Sequence, residues 1–419
     1  MLSRIPRKYF LFARNELPSL YFSLILFGQV FISMLANTFS IENRISMIAF
    51  RFLIMALSYC FIFINIRQSK LSYFSNLWVI SVSVFWLLYL ARLFIDVYIY
   101  DSVLSLPVWE LLAWSWGSSL PIAICTYLYA AQNSLNFILS KVVRHGVFML
   151  AISIILFIFN AGLEQGAFYL EHLNPIVCAN AGCALFLLCF SRILIKNIEK
   201  FDFNSSGIIS LFGSGIGLFM AVFSATRGVI LTIGLIVVGS IFCLRSILPI
   251  SKLYKWKYIS SFIASLSLIL LSAGLSTQLL VKLFTESAPT TIFFRLELWR
   301  TSILEFLSNP LFGVGFRMHE VLDSLNFGNG HHYPHNYLLE SLSTGGIILT
   351  IPLIYCIFYP AIDFHKKYAI DFCVLPIYLL SIQSFIYSMH NGHLGDIPLF
   401  WMMIGIMAGT KHRLERLSL

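Results

Sequence analysis

The sequence predicts an all-α, polytopic membrane protein of about twelve transmembrane helices. Three observations carry that prediction: 58% of the 419 residues are hydrophobic, only 11% are charged, and apolar runs of spanning length recur from one end to the other. A soluble domain carries roughly 25% charged residues, so a mean hydropathy of +0.84 excludes a soluble fold. A stretch of about 20 apolar residues crosses the hydrocarbon core as a helix, because backbone N–H and C=O groups in lipid need partners within their own segment. The alternation of a membrane β-barrel, in segments of about ten residues, is not seen in the sequence.

Taken in order, the apolar runs place spans near 18–38, 44–66, 75–95, 106–131, 144–162, 174–194, 206–223, 228–246, 257–281, 336–360, 370–389 and 394–410. The whole chain, 1–419, reads as one integral-membrane domain. The first run, Leu17 to Leu35, is long enough to span and lacks a small-residue cleavage site, so the first helix is expected to be retained. The basic residues between spans alternate sharply. Arg4, Arg7, Lys8 and Arg14 open one set, and Lys411, Arg413 and Arg416 close it; that set holds 20 of the 28 Lys and Arg residues. The positive-inside rule makes its side cytoplasmic, with both termini inside and an even number of spans. The formal charge of +9 is thus a topological signal facing anionic lipid, and no nucleic-acid partner is expected. The eight cysteines lie in or beside apolar runs without a CxxC pair and read as small buried side chains.

One long loop, 282–335 between the ninth and tenth spans, falls on the outer, non-cytoplasmic side, and three outer elements carry candidate chemistry. Ser224-Ala225-Thr226-Arg227-Gly228 forms a turn between two spans. A guanidinium there is a planar fork suited to phosphate oxygens; snorkelling to lipid headgroups is the plainer reading of Arg227 alone. Within the loop, Leu296, Trp299, Ile303 and Leu307 recur at helical spacing, up to a stop at Asn309-Pro310. They predict an amphipathic helix at the membrane surface, with Arg295 and Arg300 among its polar positions. Leu311-Phe312-Gly313-Val314-Gly315 follows, its glycines marking a tight turn or a close backbone approach. Last comes Gly330-His331-His332-Tyr333-Pro334-His335-Asn336-Tyr337-Leu338-Leu339-Glu340. Pro334 is favoured in a first helical turn, which puts His335 at the N-terminal end of the tenth span. The helix dipole there disfavours imidazolium and keeps a neutral ring able to act as a general base. His331, His332 and His335 lack an evident carboxylate ligand, so no metal is expected. Glu340, inside an apolar span, is expected to face a cavity.

In order and spacing, Ala225-Thr226-Arg227-Gly228, Arg295…Trp299, Asn309–Gly315 and Pro334-His335-Asn336…Glu340…Gly345-Gly346-Ile347 resemble the O-antigen ligase and polymerase superfamily across about residues 206–360. The resemblance implies a metal-independent, inverting glycosyltransferase of the bacterial inner membrane, without cofactor, working on the periplasmic side. Its donor would be a glycan on undecaprenyl diphosphate. Its acceptor would be a lipid-linked repeat unit for a polymerase, or lipid A-core for a ligase. It further implies His335 as the base on the acceptor, Arg227 and Arg295 as holders of the pyrophosphate, and Arg300, Asn336 and Glu340 as supporting candidates. A polymerase would also have a chain-length regulator as partner. His390-Asn391-Gly392-His393-Leu394-Gly395-Asp396 resembles polymerase relatives more than ligases. The competing class is a flippase for lipid-linked sugars, which would carry charges along the midplane of several helices.

Overall fold

The computed structural model describes residues 16–68, 73, 76–100, 104, 107–161, 175–199, 205–224, 226, 228–237, 287–317, 333–362, 374–390, 393–395 and 397–417. Among these residues the regular structure is entirely helical: α1 Glu16–Thr38, α2 Asn43–Gln68, α3 Leu77–Tyr98, α4 Val108–Gln132, α5 Asn136–Ala161, α6 Pro175–Glu199, α7 Ser205–Phe223, α8 Gly228–Val237, α9 Ser287–Ser308, α10 Tyr337–Ala361, α11 Leu375–His390 and α12 Pro398–Leu417. Helices α1 to α6 and α10, seven in all, are long and apolar enough to cross a membrane. The apolar parts of α7 and α8 are shorter. The expected ninth span at 257–281, residues 318–332 of the loop, and Arg227 lie outside the described residues. The chain is an all-α polytopic membrane protein.

Several boundaries differ from the hydropathy reading. Helix α5 begins at Asn136, not near 144, because polar Ser140, Lys141 and Arg144 continue the helix beyond the apolar run. Helix α12 begins at Pro398 rather than 394, because 393–395 is a non-helical crossing anchored to other helices. Cys125, Cys178, Cys183, Cys189 and Cys356 are buried as the sequence suggests, whereas Cys60 is exposed on α2.

The chain forms two compact units. The first comprises 1–54, 134–285 and 368–383. Within it α6 and α7 cross at Gly182 and Gly217. A Cβ on Gly182 would lie 2.5 Å from the Gly217 carbonyl oxygen, so only glycine allows the two backbones so close. Without a hydrophobic force between helices in lipid, such contacts are what binds them.

The second unit comprises 55–133, 286–367 and 384–419. Its core is aromatic: Trp78, Phe85, Trp86 and Tyr89 of α3 pack with Tyr127 of α4, Tyr337 of α10 and Trp401 of α12. The indoles of Trp78 and Trp401 find acceptors in this core, whereas Trp86 Nε1, Tyr89 Oη and Tyr127 Oη have none among the described residues. Trp78 Nε1 donates to the Cys356 carbonyl at 3.0 Å, and Trp401 Nε1 donates to Tyr337 Oη at 2.7 Å.

Helix α10 is broken at Gly346, whose φ of 62° and ψ of −159° belong to glycine. The segment 309–316 docks into the break. Ile347 N–H donates to the Pro310 carbonyl at 2.9 Å, Ile348 N–H to Leu311 at 3.3 Å, and Val314 N–H to the Ser343 carbonyl at 2.7 Å. The groups that the break frees within α10 are thereby satisfied by the loop. Gly313 and Gly315 both adopt positive φ, as this close approach demands. Beyond the break, Phe316 N–H donates to Asp96 Oδ2 at 2.6 Å, and Arg92 grips the same carboxylate at 3.1 Å.

Candidate active site

The site is built at the N-terminal end of α10. Asn336 caps the helix, accepting the N–H groups of Leu338 and Leu339 at 3.1 Å each. The cap satisfies two of the four donors that a helix start leaves open. Asn336 therefore has a structural task, and the helix begins at Tyr337. Pro334 precedes the cap by two residues rather than occupying the first turn, and His335 is the residue just before the cap. His335 has φ 53°, a left-handed conformation. Histidine is among the few non-glycine residues enriched there, and the surroundings must hold it in place.

Helix α9 supplies part of that hold. Trp299 Nε1 donates to the Pro334 carbonyl at 2.8 Å. One turn earlier, Arg295 Nη1 donates to the carbonyl of His390, the last residue of α11, at 2.8 Å. Partial burial pulls the Arg295 guanidinium below its usual value, and the nearby Tyr333 phenol opposes that shift. Arginine starts so high that it stays charged at any physiological pH. The Tyr333 ring packs on His335, centroid to centroid 4.1 Å, and meets His393 edge-on at 5.1 Å. Arg295 and His335, expected to work together, thus belong to one cluster in the second unit.

Glu340 lies one turn into α10, 2% exposed. Its Oε2 accepts the Leu394 N–H at 2.9 Å, and its Oε1 stands 3.5 Å from His393 Nε2. It faces protein, namely the crossing between α11 and α12. That crossing is also held by Ser119 Oγ of α4, which donates to the Gly395 carbonyl at 2.8 Å, and by Tyr337 Oη, which donates to the Leu394 carbonyl. Arg300 is on the exposed side of α9, paired with Glu297 at 3.0 Å. An exposed i,i+3 pair of this kind stabilises weakly.

The α9 stripe is likewise turned outward: Leu296 is 50% and Leu307 62% exposed, while Leu298 and Ser302 face the protein. The helical spacing in the loop matches α9, and the candidates Arg295, His335 and Glu340 all lie in the second unit. Sequence reasoning gave no role to Tyr333 and His393; three histidines and a tyrosine near two helix ends were the only signal. Among the described residues no three His, Cys, Asp or Glu side chains converge as metal ligands would.

A helical membrane protein with a charged and aromatic cluster at one end of a helix bundle defines the class. Residues 212–354 match a protein-family model described as O-antigen ligase. The matched region runs from α7 to just beyond the α10 break and includes Arg227, Arg295, His335 and Glu340. Over these residues the chain is similar to the O-antigen ligase family. No curated protein matches the chain closely enough to serve as a relative.

Proposed function

We propose that the chain is a glycosyltransferase of the periplasmic face of the bacterial inner membrane, extending O-antigen or a related polysaccharide. The observation that carries this reading is the gathering of Arg295 and His335 into one cluster within the family-matched region. In the proposed reaction His335 takes the proton from an acceptor sugar hydroxyl. The freed oxygen attacks the anomeric carbon of the donor from the face opposite its diphosphate, which inverts that centre. The bond from the anomeric carbon to the phosphate oxygen breaks, and undecaprenyl diphosphate leaves with both electrons. Arg295 neutralises the charge that builds on the diphosphate, and the resemblance implies Arg227 as a further holder of that group. Charge stabilisation by arginines makes a metal unnecessary in this scheme.

Donor chemistry is shared by polymerase and ligase. The likeness of His390–Asp396 to polymerase relatives favours chain extension. So do outer loops that carry little extra base to hold a phosphorylated lipid A-core. A chain-length regulator would then be the expected protein partner.

The test is a deletion strain complemented with wild-type or His335→Asn protein, read on a lipopolysaccharide gel. Asparagine tolerates the left-handed backbone and removes the imidazole. Loss of a base costs about 10²- to 10⁴-fold in rate. The deletion and the variant should both leave core carrying a single repeat. Bare core with polymer accumulating on the lipid carrier would identify a ligase. An unchanged ladder with His335→Asn would overturn the enzymatic reading and favour a transporter.

A further inference from the structure

His393 lies outside the family-matched region, and the chemistry above does not use it, yet it is 7% exposed and braced on several sides. Gly395 N–H donates to its Nδ1 at 3.2 Å. A ring nitrogen that accepts is unprotonated, so the neutral ring carries its proton on Nε2. That nitrogen faces Glu340 Oε1 at 3.5 Å, an electrostatic contact longer than a hydrogen bond. The indole of Trp114 meets the ring edge-on at 5.8 Å, and Tyr333 meets it edge-on at 5.1 Å. Tyr333 in turn carries His335 at 4.1 Å.

We propose that His393 is a positioning residue for His335: Glu340 and the Gly395 N–H lock its ring in one tautomer and orientation, and the ring supports Tyr333, on which the His335 imidazole rests. Two further observations support this. A carboxylate as deep as Glu340 is costly unless donors meet it, and here one donor is the Leu394 N–H, with the His393 ring on the other oxygen. His335 holds a left-handed backbone, a state that persists only where neighbours over-determine it. The tyrosine–histidine stack is the part of that restraint that acts on the side chain. The inference rests on His335 serving as the base.

The isosteric variants separate the contacts. In His393→Gln the amide nitrogen replaces Nε2 and can donate to Glu340; in His393→Asn the amide oxygen replaces Nδ1 and can accept from Gly395. Full-length protein is expressed in the deletion strain, matched for amount in membranes, and scored for ladder density and for Tm in detergent. His393→Ala should reduce product about 10- to 100-fold, the loss expected when a reacting group is misplaced by about 1 Å. His393→Gln should restore most of it, and His393→Asn should not, at comparable Tm. Tyr333→Phe should be active and Tyr333→Leu should resemble His393→Ala. Full activity of His393→Ala overturns the proposal. So does equal activity of His393→Gln and His393→Asn, because donation toward Glu340 would then be irrelevant. If His393→Ala is not recovered in membranes, the glutamine and asparagine pair decides alone. An active His335→Asn in the same series would instead sink the reading of His335 as base, whatever the His393 variants do.

Discussion

At the scale of single residues, the backbone of His335 makes a prediction separate from its chemistry. Its φ of 53° is comfortable for glycine or asparagine and poor for a β-branched side chain. His335→Asn should therefore keep wild-type Tm in detergent while abolishing product. His335→Val should lose product and also about 1–2 kcal/mol of stability. If the two variants melt together, the left-handed conformation does not persist in the folded protein. Residue-level legibility followed sequence distance. Asn336 and Glu340 stood beside His335 and were noticed with it. The bond from Leu394 to Glu340 spans 54 positions, and no local pattern announces it. A histidine in a glycine-rich connection likewise reads as loop until its neighbours are known.

At the scale of elements, the break in α10 and the loop that enters it form one device. A glycine pair in an apolar helix reads as easily as a small-residue packing face, so the break was not legible. The glycines at 313 and 315 signal a close approach, but their targets are distant in sequence: the Ser343 carbonyl for Gly313, and the Arg92 and Asp96 side chains of α3 for Gly315. A Cβ on Gly346 would run into the Leu311 carbonyl, and alanine resists its φ of 62°. Gly346→Ala should cost about 1–3 kcal/mol, seen as a lower Tm and faster proteolysis within 309–317. Gly234→Ala on α8 is the control: nothing lies within 4 Å of its added Cβ, so it should leave Tm unchanged or slightly raised. Equal effects would remove the case for a docked loop. The cap obeys the same logic. Asn336→Ala leaves the Leu338 and Leu339 N–H groups without their acceptor and should cost about 1 kcal/mol, while Asn336→Asp should retain most of it. If Asn336→Asp loses product at full stability, Asn336 has a chemical task beyond capping.

At the scale of the whole molecule, hydropathy made the spans legible because the bilayer imposes one length and one composition on each. It did not reveal the two units, since each is assembled from separated stretches of chain. The outward-facing apolar surface supports a lipid setting: Phe52 and Phe63 on α2, Phe148 and Phe159 on α5, and Ile351 on α10 are all exposed. A water-soluble protein rarely shows so much. The charge pattern predicts an orientation, and parity makes it testable. Between Asn309, at the end of α9, and Leu417, at the end of α12, lie α10, α11 and α12. If all three cross, as the hydropathy reading expects, the two ends lie on opposite faces of the membrane. Both residues are exposed, so each can carry a single reactive cysteine. The native Cys60 is exposed on α2, so labelling is read against the same cells without an added cysteine. In cells with a permeabilised outer membrane, an impermeant maleimide should label Asn309→Cys at once and Leu417→Cys only after lysis. Labelling of both from the same side would mean that one of the three helices does not cross. The reverse pattern would place His335 on the cytoplasmic face, away from the lipid-linked glycan that the proposed reaction requires.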